Sequence, residues 1–583
     1  MPRIPRRLVL LVTLVAVVGG CQSGARQTSA PTPRLADLVR NYDNELTPYN
    51  PFSASEAGLR QYDRMLANDI GAEYRRGMLE LCTRYRDALG RLETSRLSEG
   101  ERVTYDVFLY RVTSCVDGYR FPWHLLPVNQ VGFGWPSRFP ILGAGRGQHP
   151  FKTARNYEDF LGRIDGFVVW MDTAIANMRE GAERGITQPR VLMERVLPQL
   201  DAQIVDDPEK SPFYEPLRNF PASVDAAARE RLTARYVAAI QTKIVPAYRR
   251  LHAFITADYL PRCRTTDGFG ALPDGRAWYA QAVRSATTTT LTPEEIHEIG
   301  LAEVTRIRAA ISALRAEITA AGEAAPPRHD TLGDLLQGYA RVRADVDAAL
   351  PRLFGRLPKA GFEIRPVEAF RERSMPSSYE ASSPDGSRAG VFYLNTSELR
   401  NGGSAGVYRN LLLHETVPGH HLQIALQREN TALPGFRRFG SHIAFAEGWA
   451  LYAESLGVEL AVYPSRWDRL DMLNAELFRA YRLVVDTGLH AKGWTREQAM
   501  DYLGGATPGV QLEVERYMAW PGQALGYKIG QLKILALRRK AEAALGSSFD
   551  VRTFHDEILR EGAMPLDALE AKIDRWLAAA ARR

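Results

Sequence analysis

Apolar residues recur at spacings of three and four along most of the chain, which is the pattern of amphipathic α-helices. The pattern covers residues 36–120, 157–194 and 222–259, and it dominates again after residue 396. A clear helix start lies at Thr292, because Pro293 follows at the first helical position and Glu295 stands three residues after the cap. This signal predicts a long helix through Thr319, and the whole pattern predicts a mainly α-helical fold.

Two regions depart from the helical pattern. Residues 121–151 are rich in Pro, Gly and aromatic residues, which indicates a long loop that either binds a ligand or crosses the surface. Residues 361–367 and 390–396 are short β-rich runs bounded by Pro and Gly, which predict one small sheet. The second run is expected to lie along a cleft and align an extended substrate backbone. Its candidate substrate-binding residues are Gly390, Phe392, Tyr393 and Asn395.

Composition narrows the class of protein. The 583 residues are 45% apolar and 24% charged, which is ordinary for a globular protein and argues against disorder or a coiled coil. The net charge of +6 is small for this length, and no basic stripe with interleaved aromatic residues is present. We therefore expect no nucleic-acid partner. The sequence contains no feature that specifies an oligomeric state.

The first residues have the pattern of a secretion signal. Arg3, Arg6 and Arg7 precede an apolar run over residues 8–18 that is too short to span a bilayer. The small residues before Cys21 resemble a bacterial lipobox, which predicts a signal peptide over residues 1–21 and lipidation of Cys21. The absence of Asp at position 22 favours the periplasmic face of the outer membrane. The alternative is an ordinary signal peptide with an incidental cysteine.

The remaining chain divides into a tether and one large domain. Residues 22–35 are rich in Ser, Thr, Pro and Gln and predict a flexible tether, and residues 36–583 predict a single helical domain with halves over 36–290 and 291–583. Only Cys82, Cys115 and Cys263 follow Cys21, which excludes a thiolate metal site. In an oxidising compartment, Cys82 and Cys115 are the candidate disulfide pair.

The strongest chemical signal is the segment from Leu411 to Gln423, in which His414 and Glu415 precede His420 and His421. In the zinc motif H-E-x-x-H, two histidines four residues apart share one face of a helix, whereas here four residues separate Glu415 from His420. Because Pro418 and Gly419 favour a break in the helix, we expect the chain to deform over residues 416–419. His420 would then turn back toward His414. His421 is the alternative ligand, and a kinked core helix without metal is the alternative interpretation.

A catalytic zinc site needs a third protein ligand. Glu447 and Glu454 lie seven residues apart on a strongly apolar predicted helix, where a carboxylate is costly to bury unless it is paired or bound to a metal. Glu447 is the preferred ligand. Glu454 is expected either to orient a histidine or to be a solvated helix residue.

Polar residues further along the chain complete the set of candidates. Arg482, Asp486 and His490 are spaced by four, which indicates either a salt-bridged face or a network in which His490 stabilises an oxyanion. Tyr527 and Lys528 follow a Pro-Gly turn, where either side chain would be placed to polarise a carbonyl. The sequence from His297 to Leu301 lacks the second histidine of a zinc motif, so we assign it no site.

Five segments carry a resemblance when they are taken together and in order. They begin at Leu291, Gly390, His414, Glu447 and Pro521, and they read LTPEEIH, GVFYLNT, HETVPGH, EGWALY and PGQALGYK. This set resembles the bacterial lipoprotein family called domain of unknown function 885, over nearly all of the mature chain. The resemblance implies a fold similar to the helical zincin-like metallopeptidases, with a deep cleft. It also implies His414, His420 and Glu447 as metal ligands and Glu415 as general base.

The leading hypothesis is therefore zinc-dependent hydrolysis of short peptides in the cell envelope. Zn²⁺ would be the cofactor, Glu415 the base, and Tyr527 or His490 the oxyanion donor. A non-catalytic periplasmic binding or scaffold lipoprotein is the alternative. Hydrolysis of a non-peptide amide or ester in the envelope is a third possibility.

Overall fold

Helices make up most of the protein, as the apolar spacing predicts. The computed structural model describes residues 34–582 except 57, 132–133, 147–148, 368–375 and 384–387. The helices of the first half are α1 (Leu35–Leu46), α2 (Pro51–Glu56), α3 (Ala72–Leu89), α4 (Glu99–Gly118), α5 (Trp135–Gly143), α6 (Ala154–Glu183), α7 (Arg190–Asp201), α8 (Glu215–Arg218), α9 (Ala226–Ala239), α10 (Val245–Phe254) and α11 (Gly275–Thr287). Those of the second half are α12 (Pro293–Ala321), α13 (Leu332–Ala349), α14 (Ser397–Arg400), α15 (Arg409–Glu415), α16 (His420–Glu429), α17 (Gly435–Arg438), α18 (Ile443–Ser455), α19 (Arg466–His490), α20 (Arg496–Tyr502), α21 (Pro508–Ala519), α22 (Gly526–Leu545), α23 (Val551–Leu559) and α24 (Leu566–Ala580).

The start of α12 confirms the prediction from the capping signal. The Thr292 hydroxyl accepts from the Glu295 backbone N–H at 3.2 Å, and the Glu295 carboxylate accepts from the Thr292 backbone N–H at 2.8 Å. Each group satisfies a polar atom that the helix end would otherwise leave unpaired. The helix ends at Ala321, where Gly322 adopts a left-handed conformation with φ of 57°.

The predicted long loop is partly helical. Residues 135–143 form α5, and its Phe139 and Leu142 are buried in the same core as α6. Pro136 stands at the second helical position, which is compatible with a helix start. The helix was not predicted because the segment as a whole is rich in Pro and Gly. Trp135 and Arg138 border a cavity of about 410 Å³ together with Tyr49 and Tyr74.

Among the described residues, one small sheet is present, with strand order β1-β3-β2. Its strands are β1 (Phe362–Pro366), β2 (Ser378–Glu380) and β3 (Gly390–Leu394). β3 pairs in parallel with β1 over its whole length and antiparallel with β2 from Val391 to Tyr393. β2 was not predicted, because its three residues are too few to show the alternating pattern of a strand.

The position of β3 contradicts the prediction that it aligns a substrate backbone. A central strand has neighbours on both edges, so its main-chain groups are not available to a further strand. Gly390 and Phe392 are buried, and Phe392 belongs to the main core. Asn395 caps a turn by accepting from the Ser397 backbone N–H at 3.0 Å, and Tyr393 pairs with Arg365 and Ser378 across the strands. The four residues therefore serve the sheet.

Two large apolar cores divide the molecule differently from the predicted halves. The first core combines α1, α3, α4 and α11 with several helices of the second half, so the N-terminal helices α1, α3 and α4 pack against the C-terminal part of the chain. The second core lies mainly between residues 128 and 263. A boundary near residue 290 therefore does not separate the cores, because the N-terminal helices cover the helices that follow it.

The N-terminal predictions fall outside this description. Cys21, the proposed signal peptide and most of the tether lie before residue 34. Over the range that the structure covers, no helix is long and apolar enough to cross a membrane.

The structure joins Cys82 to Cys115 in a disulfide between α3 and α4, as the cysteine count suggested, and Cys263 is buried and free. The bond closes a loop with a sequence separation of 33. We predict that the Cys82→Ala/Cys115→Ala variant loses roughly 3–4 kcal/mol of unfolding free energy, since the cross-link restricts the unfolded chain.

Urea denaturation with and without dithiothreitol measures this loss. Wild type and the Cys263→Ala control should both weaken on reduction, whereas the double variant should not respond. A double variant that still responds to the reductant would contradict the pairing.

Candidate metal centre

The His-Glu segment forms two helices that meet at a sharp corner. α15 ends at Glu415 and α16 begins at His420. Thr416 leaves the helical conformation, with φ of −115° and ψ of −114°, and the Val417–Pro418 peptide bond is cis. The Thr416 hydroxyl donates to the Leu412 carbonyl at 2.6 Å, and the Trp449 indole N–H donates to the Pro418 carbonyl at 2.8 Å. The predicted deformation over residues 416–419 is confirmed.

Gly419 allows this corner to close. A Cβ atom at this position would lie 2.0 Å from the His414 carbonyl oxygen and 2.3 Å from that of Leu413. Real Cβ atoms do not approach backbone oxygens so closely, so only glycine fits. The backbone of the second helix can therefore rest directly on the end of the first.

The corner brings His414 and His420 together with Glu447 of α18. The Glu447 Oε2 atom lies 3.6 Å from His414 Nε2 and 3.4 Å from His420 Nε2, and the two imidazole centroids are 4.8 Å apart. One ligand atom from each residue lies within 4.8 Å of the other two. Ligands bound to zinc at 2.0–2.1 Å in a tetrahedron are separated by roughly 3.4 Å. The two separations from Glu447 are close to this value, so the residue types and spacing are compatible with a zinc ion.

Glu454 orients the first histidine. Its Oε1 atom lies 2.9 Å from His414 Nδ1, and its Oε2 atom accepts from Asn410 Nδ2 at 3.1 Å. The Arg479 guanidinium lies 3.6 Å from the same carboxylate. Burial opposes the charge of Glu454, but Arg479 and His414 outweigh it and hold the pKa below its usual range. A carboxylate on the far nitrogen leaves His414 Nε2 facing Glu447, which is the usual support of a metal-binding histidine.

The charges of the cluster depend on one another. Burial alone would lower the pKa of His414, but the carboxylates of Glu447 and Glu454 raise it to about 9. Burial likewise opposes the charge of Glu447, yet the two histidines hold its pKa well below the usual range. The Nδ1 atom of His420 is buried and has no hydrogen-bond partner among the described residues. The site is thus a largely buried set of donors with capacity for a cation.

Glu415 stands beside this cluster as an uncommitted acid. It is buried, and within the described ranges its carboxylate makes no hydrogen bond or ion pair. Burial raises the pKa of Glu415, although His414 and His420 partly offset that effect. A carboxylate with a raised pKa and free oxygens has the chemistry of a general base.

The structure does not place His421, the alternative ligand, in the cluster. Its Nδ1 atom lies 2.8 Å from the Tyr379 hydroxyl and its Nε2 atom 2.9 Å from the Ala360 carbonyl. Both nitrogens are thus occupied, one by β2 and one by the residue just before Gly361. Through these two contacts His421 fixes the sheet to the start of α16. The sheet therefore lies next to the candidate site, as expected.

The predicted oxyanion role of His490 does not fit the structure. The Phe269 backbone N–H donates to its Nδ1 at 3.0 Å, and its Nε2 lies 3.0 Å from the Tyr517 carbonyl. Burial lowers the pKa of His490 to about 3, so the ring is neutral and both nitrogens are engaged by the backbone. His490 is a buried structural residue.

Arg482 and Asp486 belong to two different hydrogen-bond networks. Arg482 Nε donates to the Tyr517 hydroxyl at 3.2 Å, and its guanidinium lies 4.6 Å from the centre of the Tyr527 ring. Asp486 accepts from the Tyr279 hydroxyl at 2.6 Å and from the Gly522 backbone N–H at 3.0 Å. Burial raises the pKa of Asp486 to about 7. Asp486 therefore holds the turn that precedes α22.

Tyr527 remains a candidate donor, whereas Lys528 does not. Gly448 of α18 and Gly530 of α22 allow the two backbones to touch, because a Cβ on Gly530 would lie 1.9 Å from the Ala444 carbonyl oxygen. This contact brings Tyr527 close to Glu447; burial and the charge of Glu447 raise the pKa of the phenol. Lys528 Nζ is instead fully buried against Glu476 at 2.6 Å and Glu303 at 2.9 Å.

Comparison with known proteins agrees with this picture of the fold. A family model described as "Bacterial protein of unknown function (DUF885)" matches residues 51–573. The chain belongs to this family. The resemblance drawn from the five sequence segments is therefore confirmed at the level of the DUF885 family. None of the curated proteins compared with the chain is significantly similar to it.

Two solved structures are similar over nearly their whole length. A "putative lipoprotein" from Colwellia psychrerythraea has a TM-score of 0.84 and 28% identity, covering 94% of this chain and 99% of its own. A "putative lipoprotein of unknown function" from Shewanella oneidensis has a TM-score of 0.69 and 16% identity, covering 92% and 99%. The second likeness concerns the fold alone.

Several residues around the candidate site were not predicted from the sequence. Arg479 contacts Glu454, Asn410 holds its second oxygen, and Trp449 fixes the corner through Pro418. Arg479 lies one helical turn before Arg482, a spacing that places both on the same side of α19. That spacing was a usable signal. Asn410 gave none, because a single polar residue before an apolar run has many possible partners.

We predict that Gly419→Ala destroys the corner. The added methyl group would overlap the carbonyl oxygens of Leu413 and His414, so α16 must move away from α15. Unfolding free energy should fall by about 1–3 kcal/mol, and zinc binding measured by calorimetry should be lost. The control is Gly509→Ala in α21, where nothing lies within 4 Å. Equal zinc affinity in both variants would contradict the role of Gly419.

Asp486 generates a prediction about pH. Because its pKa is raised to about 7 in the folded state, the folded protein keeps a proton that the unfolded chain releases near pH 4. The stability from this group is present below pH 4 and is lost as the pH rises through 7.

Asp486→Asn should therefore lose less stability than wild type between pH 4.5 and pH 8, by roughly 3 kcal/mol. Urea denaturation at the two pH values measures the difference. The control is Asp501→Asn, an exposed carboxyl on α20. Parallel pH profiles for wild type and Asp486→Asn would disprove the assignment.

Proposed function

We propose that this DUF885 protein is a zinc-dependent peptidase that hydrolyses short peptides in the cell envelope. The observation that carries the proposal is the donor set of His414, His420 and Glu447, with the uncommitted carboxylate of Glu415 next to it. Two imidazoles and one carboxylate are the protein ligands of many catalytic zinc sites. A purely structural ion pair would not need a further buried acid without a partner.

His414, His420 and Glu447 would hold the ion, and the protein supplies their orientation. When bound, zinc would contribute Lewis acidity toward the scissile carbonyl and the attacking water. Glu454 keeps His414 Nε2 directed at Glu447 through its contact with Nδ1. The close contact of α15 and α16 at Gly419 fixes the second imidazole. The ligands are thus arranged before any ion arrives.

Glu415 performs the proton transfers in this mechanism. Its carboxylate takes a proton from the attacking water and delivers it to the leaving amine. The raised pKa favours both steps, since a weakly basic carboxylate in water would be too poor a proton acceptor. Tyr527 stays protonated because its pKa is raised, so its hydroxyl is available to donate to the developing oxyanion.

We also propose that the protein is lipid-anchored at Cys21 and faces the periplasm from the outer membrane. The lipobox-like residues before Cys21 support this proposal. So does the description of the similar structure from Colwellia psychrerythraea as a "putative lipoprotein". A zincin-like fold with a deep cleft is part of the same proposal, and the predominance of helix supports it.

We predict that Glu415→Gln lowers peptide turnover by about 10²–10⁴-fold while zinc content stays near that of wild type, because the variant removes the base and keeps the ligands. His414→Ala should lose zinc itself. Elemental analysis and a short-peptide library measure the two effects. His252→Ala, at the surface of α10, is the control for histidine loss.

Other outcomes would select a different function. Zinc-free protein with full activity would disprove the mechanism. Unchanged turnover and cell phenotype in Glu415→Gln would favour a non-catalytic binding or scaffold lipoprotein. Turnover of envelope amides or esters without turnover of peptides would keep the mechanism and change the substrate class.

A further inference from the structure

Two arginines share one carboxylate beside Tyr527. Arg482 Nη2 lies 3.3 Å from Glu513 Oε2, and Arg516 Nη1 lies 3.3 Å from Glu513 Oε1. The second terminal nitrogen of Arg516 donates to the Gln523 side-chain oxygen. A guanidinium carries five N–H donors, and this arrangement satisfies only part of that capacity with charged acceptors. The group of Arg482, Glu513 and Arg516 is called the arginine cluster below.

The arginine cluster carries an excess positive charge, unlike its neighbour. In the network around Lys528, two cations, Lys528 and Arg306, face two carboxylates, Glu303 and Glu476. That network is balanced. In the arginine cluster, two cations face one carboxylate.

Other charged groups near the arginine cluster do not remove this excess. A further carboxyl near the cluster is that of Asp486, which lies close enough to Arg516 for an electrostatic effect. Its oxygens already accept from Tyr279 and Gly522, and burial favours its neutral form. The Tyr517 hydroxyl, which accepts from Arg482, is uncharged.

The arginine cluster adjoins the proposed metal centre. The Arg482 guanidinium lies 4.6 Å from the Tyr527 ring centre, and Gln523 links Arg516 to the Tyr527 hydroxyl. Tyr527 in turn responds to the charge of Glu447. The side chains of Arg516 and Glu513 are 21% and 23% exposed, whereas that of Arg482 is 7% exposed. A ligand can therefore reach the cluster from the side of Arg516.

We propose that the arginine cluster is a subsite for a carboxylate of the substrate, so that the favoured peptides carry a free carboxylate near the bond to be cut. This inference rests on the proposed peptidase function and names its substrate class. The carboxylate replaces Glu513 at Nη1 of Arg516, and Arg482 supplies the second positive charge. Both a C-terminal carboxylate and an acidic side chain have this chemistry.

The test is calorimetric binding of three probes to the Glu415→Gln protein, with and without zinc. The probes are trialanine, trialanine amide and the amide of Ala-Asp-Ala. We expect the probes with a carboxylate to bind about tenfold to a hundredfold more tightly than trialanine amide, which is the range for a charged hydrogen bond. Tight binding of trialanine identifies a terminal carboxylate. Tight binding of only Ala-Asp-Ala amide identifies an acidic side chain.

Three added substitutions separate recognition from structural support. Arg516→Gln should abolish the preference for a carboxylate. Arg469→Gln, at an exposed position of α19 where the described part of the chain offers no ion pair, should preserve it. Glu513→Gln should tighten binding of the carboxylate probes several-fold, because it removes the internal competitor for both guanidinium groups. If the cluster only stabilises the fold, both Arg516→Gln and Glu513→Gln should lower the unfolding free energy, and neither should change the preference for a carboxylate.

The outcomes distinguish this inference from the proposed function. Equal binding of trialanine amide and both carboxylate probes overturns the subsite, and so does the absence of any binding that depends on Arg516. Active wild-type protein with equal turnover of acid and amide peptides leaves the peptidase standing without the subsite. Arg516-dependent binding together with no hydrolysis by wild type leaves the subsite standing without the peptidase. Circular dichroism confirms that each variant is folded.

Discussion

The contact between Gly419 and the carbonyl oxygens of Leu413 and His414 is the constraint on which the candidate site depends. Because the backbone of α16 rests on the last turn of α15, two histidines six residues apart come to share one carboxylate. On a continuous helix, a separation of six residues would place their side chains on different faces. The inserted Pro-Gly pair therefore brings the two histidines together by a sharp corner instead of by the four-residue spacing of a continuous helix.

Burying this many charges near one another requires mutual compensation. Glu447 and Glu454 lie on a nearly apolar helix, where an isolated carboxylate would be strongly disfavoured. His414 bridges them, and Arg479 neutralises Glu454. Removing one partner would leave another charge exposed to a medium that solvates it poorly. Glu415 is the exception, because no described residue forms a hydrogen bond or ion pair with its carboxylate, and for that reason the proposed function gives it the role of base.

The helices and the His-Glu cluster were predictable because their signals are local. The cap at Thr292, the break at Pro418 and Gly419, and the lone acids on an apolar helix each express a physical rule within a few residues. His490, Lys528 and β3 could not be assigned in the same way. The partners of His490 are backbone groups of Phe269 and Tyr517, which are distant in sequence, and β3 lies centrally only because β2 pairs with its second edge.

The sequence by itself determined the mainly helical fold, the deformation after Glu415 and the residue types of the candidate metal site, since periodicity, capping and chain breaking act over short distances. Only the tertiary structure decided which polar residues meet. It placed His421 against β2, enclosed Lys528 among carboxylates and set Arg479 beside Glu454. The physical reason is that a side chain's chemistry depends on its burial and its partners, and long-range packing selects both.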